Sequence, residues 1–60
     1  MRHQLINHLV DLLINADIHT KLNEFDLALS FKREFSKIAD KSNLTDAEYF
    51  ELNEIYESKY

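Results

Sequence analysis

Asn43-Leu44-Thr45-Asp46-Ala47-Glu48-Tyr49 opens the last third of the chain with a helix-initiation signal complete enough to decide the fold class. Thr45 can accept from the backbone N–H of Glu48 while the Glu48 carboxylate accepts from the Thr45 N–H, the reciprocal arrangement of a capping box. Leu44 and Tyr49 then occupy the two positions of a hydrophobic staple, and Asp46 and Glu48 place negative charge at the positive end of the helix dipole. A helix is expected over about 45–58, with Tyr49, Leu52, Ile55 and Tyr56 as its apolar face.

The same segment carries the whole net charge. From Thr45 onward the acids Asp46, Glu48, Glu51, Glu54 and Glu57 face one base, Lys59, whereas Met1 to Leu44 holds six of each sign. Glu51, Glu54 and Glu57 have no capping role, and Phe50 and Tyr60 fall off the main apolar line. Phe50, Glu51, Glu54, Glu57 and Tyr60 are therefore the candidate partner-binding residues. They form either a solvated outer face or a recognition strip for a basic partner, such as the Lys/Arg face of the second helix in another copy. A helix laid against phosphates needs Lys and Arg, so the charge points to a protein-facing surface.

Working outward, the chain has neither glycine nor proline. Tight hairpins want residues that accept positive φ, so an all-β fold would have almost no turn chemistry to draw on. Breaks should fall at clusters of Asn, Asp and Ser. Two are present, Lys21 to Glu24 around Asn23 and Asp40 to Asn43, and they divide one domain, 1–60, into helices of about 3–20, 24–39 and 45–58. The expected fold is all-α, a small bundle in which the first two helices form an antiparallel hairpin beside a capped acidic third.

In the first helix Leu5, Leu9, Leu12, Ala16 and His19 mark one face, and Ile6, Val10, Leu13 and Ile14 widen it until nine of the fourteen positions from Leu5 to Ile18 are apolar. So wide a stripe must be clamped from two sides, meet a second copy or fill a partner's groove. In the second helix Ala28, Phe31, Phe35 and Ile38 form a line flanked by Leu22, Phe25, Leu29 and Ala39, which predicts a ring-dominated buried face. Its other face carries Lys32, Arg33, Lys37 and Lys41 against Glu34 and Asp40, a solvated face or a small basic docking patch. Leu9, Leu13, Phe31, Phe35 and Leu52 are the expected core.

A chain of this length buries only ~60% of its unfolded surface, and with no cysteine there is no disulfide to compensate. Self-association remains, so a homodimer is expected. The longest apolar run, Leu12-Leu13-Ile14, is far too short to span a membrane. His8 and Asp11 interrupt any signal-peptide core after Met1-Arg2-His3-Gln4. A cytoplasmic protein is expected.

Catalytic chemistry finds little purchase: there is no cysteine nucleophile, no glycine for a phosphate loop or oxyanion turn, and no Gly-x-Ser-x-Gly elbow. His8 and Asp11 could share a helix face, but a metal would need His3 or His19 from elsewhere. No enzyme activity, metal or cofactor is expected. Three helices in sixty residues is also the size of a helix-turn-helix domain, with the third as reading helix, but five acids there would be repelled by a duplex. A DNA mimic filling a basic cleft would use the same acids.

Two resemblances bear on this. Leu22-Asn23-Glu24-Phe25-Asp26-Leu27-Ala28 resembles the turn and second helix of a tetratricopeptide-type hairpin, although Phe35 stands where that motif wants a small residue; it implies helical-hairpin geometry. In size and general character the chain is similar to small, helical, glycine-poor accessory proteins of lambdoid-type temperate phages. That resemblance implies a protein that binds and modulates a host or phage factor. The function expected is non-enzymatic regulation by protein–protein contact through the acidic C-terminal helix, the alternatives being a helix-turn-helix-like nucleic-acid binder and an acidic DNA mimic.

Overall fold

A computed structural model describes residues 2–59 as three α-helices, α1 (His3–Lys21), α2 (Phe25–Ser42) and α3 (Asp46–Lys59). Both breaks turn on asparagine. Asn23 and Asn43 have φ of 62° and 49°, the left-handed conformation that glycine usually supplies, and asparagine tolerates it best among the residues this chain contains. At the end of α1 the Glu24 N–H donates to the His19 carbonyl (2.8 Å) and the Asn23 N–H to the Thr20 carbonyl (3.1 Å). This pair of bonds is a Schellman motif, with Asn23 at its left-handed position. The apolar contact that usually accompanies the motif is replaced by a polar one, His19 Nδ1 lying 2.9 Å from Glu24 Oε1.

Helix α2 runs to Ser42, past the expected end at Ala39. Asp40, Lys41 and Ser42 are compatible with a last helical turn; only Asn43 has to leave it. At the start of α3 the capping box is formed as expected. The Thr45 N–H donates to Glu48 Oε1 (3.0 Å) and the Glu48 N–H to Thr45 Oγ1 (3.2 Å). Thr45→Ala should therefore cost about 1 kcal/mol of stability. An unchanged denaturation midpoint would mean that the cap contributes nothing.

Helix α1 is the centre. α2 and α3 both pack on it, and among the described residues their backbones do not approach each other. The result is flattened, 34 × 25 × 16 Å, as expected of two helices laid beside a third. Arg2 reaches the Ser42 carbonyl at the end of α2 while His19 stacks on Phe31 near its start (ring centroids 5.3 Å apart), so α1 and α2 are antiparallel. The largest fully buried side chains among the described residues are aliphatic and come from α1: Ile6, Leu9 and Val10, with Leu12 and, from α3, Leu52 beside them.

This corrects the expected core in part. Leu9 and Leu52 are buried, but Leu13, Phe31 and Phe35 are half-buried and pack against the cluster from outside. The rings of α2 lie on the expected face, yet that helix has only α1 beside it, so they wall the core instead of filling it. Phe25 and Leu22, expected to flank the buried line, are 61% exposed. The width of the α1 stripe is explained by clamping from two sides, the first of the three possibilities it allowed. Among the described residues no helix is long and apolar enough to cross a membrane.

Candidate protein-interaction surface

Helical geometry sorts the acids of α3 into two groups. Successive steps of three residues fall about 60° short of a full turn, so Glu51, Glu54 and Glu57 drift around the helix instead of lining one side. Glu51 lands beside α1. It is half-buried, its Oε1 lies 2.9 Å from His3 Nδ1, and its Oε2 is buried without a hydrogen-bond partner among the described residues. Glu54 and Glu57 remain exposed, sharing the outer face with Phe50 at spacings of four and seven. Phe50 is 67% exposed, the most exposed large apolar side chain described. Of the five candidate residues, the structure thus groups Phe50, Glu54 and Glu57 on one face and turns Glu51 inward. Tyr60 lies outside the described residues. Tyr49, the expected staple residue, is exposed while its partner Leu44 packs on the core.

Glu48 has a second role that the sequence did not signal. Arg2 donates from Nε to Oε2 (2.9 Å) and from a terminal nitrogen to Oε1 (2.5 Å), a bidentate pair, and its other terminal nitrogen donates to the Ser42 carbonyl (2.6 Å). One guanidinium thereby ties the start of α1 to the end of α2 and the start of α3. These bonds, with the Thr45 N–H, hold the Glu48 carboxyl well below its usual range, at about 2, and raise the Arg2 pKa. The far end of α3 is held by the Tyr56 hydroxyl on the Asp17 carboxylate and by Lys59, 3.5 Å from Asp11. Contacts separated by 39 and 46 positions leave no trace in periodicity, which is why only the capping half of the Glu48 role was legible.

Of the three histidines, His3 meets Glu51 and His19 meets Glu24 and Phe31. Among the described residues no three of His, Asp or Glu are grouped in a way that could hold a metal ion. A helix-turn-helix unit braces its reading helix against the helix before it. Here α3 is braced on α1, apart from α2. Compared with protein-family models, with curated proteins and with solved structures, the chain matches none.

Proposed function

We propose that the chain is a non-enzymatic protein-interaction module of the cytoplasm, regulatory in role, that presents the outer face of α3 to a basic partner. The observation that carries this is Phe50, 67% exposed on a helix face whose charged residues, Asp46, Glu54 and Glu57, are all acidic. An exposed ring in an acidic rim suits a partner that offers an apolar pocket edged by Lys or Arg, with the ring supplying affinity and the acids steering and register. The general similarity to small phage accessory proteins would place that partner among host or phage factors. Against a nucleic-acid partner stand the sign of this face and the separation of α3 from α2.

The test is capture from native cytoplasm on the immobilised full chain, with and without nuclease. A specific protein should survive nuclease, and Phe50→Ser combined with Glu54→Lys and Glu57→Lys should reduce its capture tenfold or more, on the order of a single hot spot, while helicity is unchanged. Capture that disappears with nuclease, or that the triple variant retains, would refute the assignment.

A further inference from the structure

Every fourth residue of α2 from its first position stands in one row: Phe25, Leu29, Arg33, Lys37 and Lys41. A step of four residues overshoots a full turn by about 40°, so the row winds slowly across the helix as a ridge about 24 Å long. All five side chains are exposed, Phe25 by 61% and Leu29 by 47%. The ridge is thus apolar near the turn from α1 and basic towards the end of α2. Among the described residues none of its three cations has an ion-pair partner. Folding does not account for that placement. The macrodipole favours a cation in the last turn, which explains Lys41, but Arg33 and Lys37 lie in the middle of the helix. Arg33 with Lys37, and Lys37 with Lys41, are like-charge pairs four residues apart, a spacing that disfavours the helix carrying them. The side chains that α2 packs on the core, Phe31, Phe35 and Ile38, belong to none of the ridge positions.

We propose that this ridge docks an acidic amphipathic helix of a partner protein, at a site separate from the α3 face and independent of that reading. Charge complementarity identifies the occupant. Carboxylates repeated every fourth residue of a partner helix fall about 6 Å apart, the same interval as Arg33, Lys37 and Lys41, and apolar residues further along the same row of the partner meet Leu29 and Phe25. Nucleic acid is the poorer match. Asp26, Glu34 and Asp40 are exposed beside the ridge and the chain as a whole carries a charge of -4, so a phosphate backbone laid along α2 is repelled on both flanks. A partner helix can place Lys or Arg against those acids and gain register from them. Among the described residues α2 and α3 pack on α1 without approaching each other, so the molecule presents a basic ridge and an acidic face at once. It can therefore bridge two proteins of opposite charge.

The test is fluorescence anisotropy of a labelled helical peptide that carries Glu at three successive fourth positions and Leu at the next two of the same row, titrated with the full chain. Three surface ion pairs and two partly exposed apolar groups make a small contact, so the Kd should be in the micromolar range and should rise with salt. The double variant Arg33→Gln, Lys37→Gln should weaken binding about tenfold with helicity retained, since glutamine forms helix about as well as the residues it replaces. The peptide with Gln in place of Glu should not bind. Phe50→Ser should bind the acidic peptide like the wild type, which separates failure here from failure of the α3 reading. No binding up to about 500 µM, undiminished binding by the double variant, or tighter binding of a single-stranded oligonucleotide of equal charge would overturn the proposal. Amide shifts in the wild type provide a check that needs no variant. On adding the peptide they should centre on residues 25–41, and shifts centred on α3 would refute the assignment. Shifts that join α2 to α3 as the chain alone is concentrated would overturn it too, giving the ridge to a second copy.

Discussion

Leu9→Ala should bring the protein close to unfolding at room temperature. Leu9 has no exposed surface and sits at the middle of α1, where α2 and α3 clamp it from two sides. Truncating such a leucine costs the transfer of its lost atoms and the cavity left behind, about 3–5 kcal/mol. A domain of sixty residues has a total stability of about 3–9 kcal/mol. The substitution should therefore remove from about a third to all of it, and denaturant titration should show a shortened folded baseline or none. Phe31→Ala provides the contrast. A buried phenylalanine truncation costs as much as a leucine, but Phe31 is half-buried and stacks on a histidine, so its loss should cost about half the Leu9 figure. If Phe31→Ala proves the more damaging of the two, the centre of the core lies under the rings of α2 and not along α1.

That contrast marks where the sequence stops being legible. Much that is local could be read, though not the exposure of Tyr49 or the run of α2 to Ser42: the Thr45–Glu48 box, breaks within 21–24 and 40–43, and the wide apolar stripe of α1. Each is written within one or two helical turns, and each appears in the structure. Which apolar residues become core could be read only in part, because periodicity gives the face of a helix but not the number of neighbours covering it. Phe31 and Phe35 lie on the correct face of a helix with one neighbour, and so stay half-buried. The candidate surface divided in the same way. Three-residue spacing made Glu51, Glu54 and Glu57 look equivalent, but the drift of that spacing around the helix carries Glu51 into contact with His3. Its partner lies at the opposite end of the chain, where no local pattern points to it.

Glu48→Ala should be the most damaging substitution at a charged residue, larger than Thr45→Ala, because it removes the return half of the capping box and both bonds to Arg2. Glu48→Gln separates the two roles. Glutamine still closes a capping box, so what this variant loses is chiefly the charge-assisted pair with Arg2. The pair is open to water on the arginine side, 43% exposed against 11% for the glutamate, so salt should weaken it. The pH dependence then follows from the sign of the shift. The carboxyl is held at about 2 in the folded chain against its ordinary 4.5, so as pH falls the unfolded chain binds the proton first. The stability this charge contributes is complete above about 4.5, declines below that and is gone once pH falls through about 2, while Arg2 stays protonated throughout. Other acids titrate in both proteins and cancel in the comparison. Urea midpoints of wild type and Glu48→Gln should differ by a constant amount from neutral pH down to about 4.5 and then converge. A difference that persists unchanged at pH 2 would show that the Glu48 charge is not what ties the three helix ends together.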